Sequence, residues 1–237
     1  MTTIKTNTGK MKLLSVNVSL PKEVLYNGTT ITTGIFKEPV EGRIMLRTLN
    51  LDGDDQADRS GHGGIHKAVY VYSTENYDYW KRALGREDLP YGQFGENFTV
   101  EGMPDDQIHV GDVFRVGDAL LEVTQPRVPC YKLGIKMEDH RFPKRFLASE
   151  RPGFYFRVLE EGEVGAGDII EQVKFGPEQM TVREIHHLLF FDTNNVEVAR
   201  RALLIPALSP GWRDSFENIV AKASKTSLEN VDCCSGA

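Results

Sequence analysis

Apolar and polar positions alternate in short runs through most of the chain, the period-two signature of half-buried strands. Residues 11–20 place Leu14, Val16 and Val18 on one face and predict a first strand. Residues 43–49, 67–72, 98–100, 112–116, 119–124, 154–159 and 168–173 continue the pattern, rich in β-branched and aromatic side chains. Gly-Asp steps punctuate the runs, and Gly117-Asp118 between two of them predicts a tight hairpin. Many short strands with frequent turns predict a mostly β barrel or sandwich rather than a doubly wound sheet. Two short helices interrupt them: 74–84, with Ser73 or Thr74 as N-cap, and 140–149.

Past Phe175-Gly176-Pro177 the apolar period lengthens to that of helices. Thr181 and Glu184 form Thr-x-x-Glu, a capping box in which each side chain satisfies the other residue's orphan amide. Helices are predicted over 181–190, 195–204 and 210–223, the last with Trp212, Phe216 and Ile219-Val220 at helical spacing. The predicted organisation is a flexible extension (1–10), a β domain (11–175), a small all-α domain (176–223) and a disordered tail (224–237). A helical unit of about 50 residues buries too little surface to stand alone, so it is expected to dock on something.

Composition narrows the function. The chain has 237 residues, 40% hydrophobic, with 28 Lys+Arg against 34 Asp+Glu and a net charge of −6. It can bury a core without disulfides. Mild acidity with no basic block argues against a nucleic-acid polymer as partner. Its apolar runs are too short to span a bilayer. Residues 1–10 lack the apolar core of a secretory signal, so a cytoplasmic location is expected. Of three cysteines, Cys233 and Cys234 fall in the expected tail, leaving Cys130 alone in the folded part. That pattern fits a reducing compartment rather than a disulfide framework.

Three clusters carry candidate chemistry. Cys130 sits in Gln125-Pro126-Arg127-Val128-Pro129-Cys130-Tyr131-Lys132, at the stiffened exit of a strand and the start of a short helix. A helix start and a neighbouring arginine favour a thiolate, which is a nucleophile and a soft metal ligand; a buried structural cysteine is the competing reading. The second cluster, Gln56-Ala57-Asp58-Arg59-Ser60-Gly61-His62-Gly63-Gly64-Ile65-His66-Lys67, surrounds glycines with polar donors. Such a loop can approach an anion closely or simply turn. The third, Tyr91-Gly92-Gln93-Phe94-Gly95-Glu96-Asn97-Phe98, offers a carboxylate and an amide that can bind a heterocycle edge or hold a turn. His186 and His187 point to different faces of a helix and read as a packing pair. A zinc site from Cys130, His62 and His66 is disfavoured, because Gly63-Gly64 keeps the two histidines off a helix face.

Taken together and in order, these clusters resemble the MOSC-domain family (molybdenum cofactor sulfurase C-terminal domain), in its YiiM-like branch. The resemblance rests on Gln56-Ala57-Asp58 leading to His62-Gly63-Gly64-x-x-Lys67-Ala68-Val69-Tyr70, and on Gly92-x-Phe94-Gly95-Glu96-Asn97. It rests equally on Pro126-Arg127-x-Pro129-Cys130-x-Lys132-Leu133 and Gly153-Phe154-Tyr155-x-Arg157-Val158-Leu159. It implies a MOSC-type β-barrel with short peripheral helices, followed by a three-helix domain, and a bound molybdenum cofactor of the molybdopterin type. It implies Cys130 as the molybdenum ligand. Arg59, His62, Gly63, Gly64, Lys67 and Arg127 would hold the cofactor, and Glu96 and Asn97 would line the same pocket. His62, His66 or Glu96 would relay protons. The activity implied is reduction of N-hydroxylated compounds, such as 6-hydroxylaminopurine, to amines, with electrons from a separate reductase; the resemblance leaves room for a homodimer. A non-catalytic cofactor or sulfur carrier is the alternative, and a cofactor-free nucleobase- or phosphate-binding module the third reading.

Overall fold

The structure, a computed structural model, describes residues 10–57 and 63–232, with side chains to 224. Arg59 and His62, and the cysteine pair Cys233-Cys234, lie outside the described residues.

Seven strands close a barrel: β1 (Met11–Val18), β6 (Val69–Ser73), β7 (Phe98–Glu101), β8 (Val113–Val116), β9 (Ala119–Pro126), β10 (Phe154–Glu160) and β12 (Ile169–Lys174). They run in the order β12-β8-β9-β10-β6-β7-β1, and β1 returns to β12 through Met11–Ile170 and Lys12–Ile169. The β6–β7 pair is parallel, linked by helix α1 (Thr74–Leu84); the other barrel pairs are antiparallel. The remaining strands lie outside this ring: a hairpin of β2 (Lys22–Tyr26) and β3 (Thr29–Thr33), the two-residue β4 (Glu38–Pro39), and β5 (Arg43–Leu46) paired with β11 (Gly162–Gly165).

The alternation in β6 splits its side chains between two cores. Val69 and Val71 join the barrel interior, whereas Tyr70 and Tyr72 join an aromatic cluster with Tyr77, Trp80, Phe94, Phe142 and Phe146. That cluster is packed under α1, α2 (Tyr131–Lys136) and α3 (Phe142–Ala148). In β1 the expected face is corrected. A bulge between Leu13 and Ser15 breaks the alternation, so Leu13 and Val16 are in the core while Leu14 and Val18 are only partly buried.

The capping box forms as read: Thr181 Oγ1 accepts from Glu184 N at 3.0 Å and Thr181 N donates to Glu184 Oε2 at 2.7 Å. It opens α4 (Val182–Phe190), followed by α5 (Val196–Ala202) and α6 (Pro210–Asp232). The last helix runs through the stretch 224–232 expected to be disordered, because no glycine or proline interrupts the chain from 212 to 232. The helices share the barrel's core: Ile185, Leu188, Trp212 and Phe216 belong to the same cluster as Val110, Val123 and Phe156. Backbone bonds seal the joint, with Val110 N donating to Met180 O at 3.0 Å and Val182 N to Ile108 O at 2.8 Å. Gly176 is required there, since a Cβ would lie 2.5 Å from Val110 O.

Candidate functional site

The exit of β9 sets the site. Arg127 N donates to Gly153 O at 3.2 Å, tying the segment to the start of β10, and the flanking prolines restrict its backbone. Cys130 follows in an extended conformation as the N-cap residue of α2. Its thiol is in no disulfide, and the residue is partly buried.

Two cavities meet at Cys130. The wider one, about 600 Å³, lies between the barrel and the C-terminal helices; its walls include Gly63, Gly64, His66, Lys67, Gln125 and Trp212. The narrower, about 90 Å³, is walled by Lys37, Asp55, Lys67, Asn97, Arg127 and Lys132, among others. Cys130, Lys67, Val128 and Tyr155 border both. The structure therefore gathers His66, Lys67, Gly63, Gly64, Asn97, Arg127 and Cys130 around one centre.

The narrow cavity is cationic. Lys37 is neutralised by Asp54, Nζ to Oδ1 at 2.5 Å; burial lowers its pKa against the pull of that partner. Asp54 is further held by Ser19 N at 2.8 Å and by Asn97 Nδ2 at 2.9 Å. Lys67, Arg127 and Lys132 then stand against Asp55 among the described residues. Arg127 is a fixed wall rather than a reaching arm. Its guanidinium donates to Phe94 O at 2.7 Å and lies 4.5 Å from the centre of the Tyr70 ring and 5.5 Å from that of Phe146. Asn97 is also spoken for: Oδ1 accepts from Tyr70 N at 3.1 Å, and Nδ2 reaches Asn17 O and Asp54. Lys136, beneath this wall, donates to the carbonyls of Ile35, Lys37 and Gly92; burial lowers its pKa to about 8.

In the wide cavity His66 offers a titratable group. Its Nδ1 is buried without a hydrogen-bond partner among the described residues. Burial, reinforced by the Arg157 charge, lowers its pKa, so the imidazole is neutral at pH 7. Tyr155 presents a neutral phenol, its pKa raised by burial against the opposing Arg127 charge.

Glu96 requires a correction. It borders neither cavity and is fully buried. Its Oε1 accepts from Gly92 N at 2.7 Å, from Thr99 Oγ1 at 2.8 Å and from the Tyr77 hydroxyl, and Oε2 accepts from Phe94 N at 3.0 Å. Burial raises its pKa, with those donors opposing. The carboxylate is an internal staple for the 92–97 turn and is in no position to relay protons or touch a cofactor. Sequence reasoning missed Gln125, Tyr155, Lys132 and Trp212. Lys132 and Tyr155 fell within the recognised motifs, but Trp212 read simply as a core residue of its helix.

The comparisons agree with a barrel joined to three helices. A family model described as the MOSC domain matches residues 58–171, and one described as the YiiM-like 3-alpha helix domain matches 180–223. The chain is 40% identical over 207 residues to YflK of Bacillus subtilis (strain 168), covering 87% of this chain and 93% of that protein. A protein of Gibberella moniliformis (strain M3125 / FGSC 7600) named Reductase is 36% identical over 146 residues, 60% of this chain but 26% of its own length. The crystal structure of YiiM from Geobacillus stearothermophilus superposes with a TM-score of 0.75 at 31% identity, covering 89% of this chain and 99% of that one. The chain belongs to the MOSC-domain family, in the branch that carries a YiiM-like three-helix domain. MOSC domains are a molybdenum-cofactor-binding family. Among the described residues no helix is long and apolar enough to cross a membrane, and no group of three His, Cys, Asp or Glu side chains is placed to hold a metal ion.

Proposed function

We propose that the protein is a molybdenum-cofactor enzyme that reduces N-hydroxylated compounds, 6-hydroxylaminopurine among them, to the amines. The observation that carries this reading is the position of Cys130, where a narrow cationic cavity meets a wide one. The donor set fits the group: a thiol for a soft metal, and lysines and an arginine beside it for a phosphate. Cys130 would hold the metal, and Lys67, Lys132 and Arg127 would hold the phosphate-bearing part. Arg127 contributes a fixed charge at no cost of reorganisation, since Tyr70, Phe146 and Phe94 O already hold it. When bound, the cofactor supplies two-electron and oxygen-atom exchange, which side chains alone cannot.

The net reaction takes R–NHOH, two electrons and two protons to R–NH2 and water. Neutral His66, a residue of the wide cavity's wall, accepts and passes on a proton there. The electrons come from a separate reductase. The test is turnover of 6-hydroxylaminopurine by protein made in a cofactor-competent host, with a reduced viologen dye as donor. His66→Asn should keep the molybdenum and lower kcat about 100-fold. Molybdenum-loaded wild-type protein that turns over no N-hydroxylated compound would overturn the reading in favour of a carrier.

A further inference from the structure

Lys136 is a half-buried charge that the reaction above does not use. It closes α2, the short helix that Cys130 opens as N-cap residue. An ammonium has three donors, and three backbone carbonyls surround this one: Ile35 O and Lys37 O at 3.2 Å and Gly92 O at 2.9 Å. Those carbonyls belong to two segments, the link between β3 and β4 (34–37) and the turn 92–97. Both segments wall the narrow cavity, the first through Gly34, Ile35 and Lys37 and the second through Gly95 and Asn97. They meet too closely for side chains at the joint. A Cβ on Gly92 would lie 2.6 Å from Lys37 O, and one on Gly95 would lie 2.8 Å from Ile35 Cγ1. One ammonium therefore ties both walls to the far end of the helix that starts at Cys130.

We infer that Lys136 is a positioning residue for the cofactor site: it clamps the helix that carries Cys130 to the two segments walling the narrow cavity, so that the thiol and the phosphate-holding cations keep one spacing. A helix of six residues spans about 9 Å and is too short to hold itself, so whatever fixes its end also aims its start. The charge matters as well as the reach. A neutral amine keeps two donors and leaves one of the three carbonyls unpaired. Burial opposes the ammonium most; Lys37 and Lys22 also oppose it, Glu96 and Glu38 favour it, and the Phe36 ring centre lies 5.6 Å from Nζ. The balance leaves the pKa at about 8, so the clamp loosens as pH rises through 8. Global stability moves the other way. The folded value lies below the ordinary 10.5, so this group adds stability to the fold as pH rises from about 8 to 10.5. The inference rests on the molybdenum reading for the ligand, though not for the clamp.

Two measurements test it. In the first, wild type, Lys136→Met and Lys136→Arg are made in a cofactor-competent host, held at about pH 7 and at about pH 9.5, and assayed for molybdenum by mass spectrometry. At the lower pH Lys136→Met should retain about a tenth of the wild-type molybdenum or less, because charge-assisted bonds are lost, whereas Lys136→Arg should retain most of it. At the higher pH wild type should lose molybdenum and Lys136→Arg should not. Over the same range the urea stability of cofactor-free wild type should rise relative to Lys136→Arg, the opposite direction from retention. The second is hydrogen exchange of the cofactor-free proteins at neutral pH, which reads the clamp with no metal present. Amides of 34–37 and 92–97 should exchange about 10-fold faster or more in Lys136→Met, with those of β9 and β10 unchanged. Equal molybdenum in all three proteins at both pH values, or unchanged exchange in Lys136→Met, would overturn the clamp. If Lys136→Met does not fold, the pH contrast between wild type and Lys136→Arg decides, and equal losses in the two overturn it. A wild type without molybdenum sinks the molybdenum reading, and exchange in the cofactor-free proteins then decides the clamp alone.

Discussion

Replacing Glu96 by alanine separates a structural carboxylate from a catalytic one. The substitution strands Gly92 N–H and Phe94 N–H in a fully buried site and deprives the Thr99 and Tyr77 hydroxyls of their acceptor. The hydroxyls can rotate, and Tyr77 already has Pro90 O at 3.2 Å as a second acceptor. The two amides cannot. An unsatisfied buried group costs about 1–3 kcal/mol, so two amides plus the vacated volume give a loss of about 3–5 kcal/mol. For a chain of this size that lowers the melting temperature by about 6–20 °C. Glu96→Gln keeps the volume and one acceptor but turns an NH2 toward a donor, and should lose about 1–3 kcal/mol. Scanning calorimetry at pH 7 with a urea titration reads both. A Glu96→Ala protein within about 2 °C of wild type, or a Glu96→Gln protein of full stability and no turnover, would refute the assignment and restore Glu96 as a proton relay.

Other outcomes follow from the same packing. His186 is fully buried, both ring nitrogens lack a hydrogen-bond partner among the described residues, and burial lowers its pKa to about 4. Its contribution to stability is therefore complete above about pH 6.5 and is lost as pH falls toward 4, up to about 3 kcal/mol. Asp105, raised to about 6 by burial, acts in the opposite sense, its contribution fading as pH rises through 6. The difference in urea stability between wild type and His186→Leu isolates the histidine: it should be nearly flat above pH 6.5, and the variant should lose less than wild type toward pH 4. A difference independent of pH would contradict the buried neutral imidazole. Deleting residues 177–237 removes Ile185, Leu188, Trp212 and Phe216 from the shared core. The truncated barrel should melt without a cooperative transition; a sharp one would show that the barrel folds alone.

Much of the barrel was legible because its strands carry period-two patterns with turn residues between them, and the capping box marked α4 to the residue. Three features escaped. The β2–β3 hairpin turns at Asn27-Gly28, both with positive φ, a strong turn signal flanked by strands too polar and exposed to stand out. The bulge in β1 adds a residue that alternation cannot foresee. The length of α6 was hidden by a polar composition that suits a solvated helix as well as a tail.

At the site, Cys130, His66, Lys67 and Arg127 were legible because loop stiffness, glycine and charge coincide in short stretches. Glu96 was misread, since a carboxylate after a glycine turn looks the same whether it faces a ligand or its own backbone. Gln125 and Trp212 come from β9 and α6, and only the docking of the helices on the barrel brings them to one cavity.

The central claim is that Cys130 holds molybdenum, and metal content tests it most directly. Wild type and Cys130→Ser, both made in a cofactor-competent host, would be assayed for molybdenum by mass spectrometry, with melting temperatures measured alongside. The account predicts near-stoichiometric molybdenum in wild type, a small fraction of that in Cys130→Ser, and closely similar melting of the cofactor-free forms, since a partly buried thiol adds little to the core. Equal molybdenum in both proteins, or none in wild type, would contradict it.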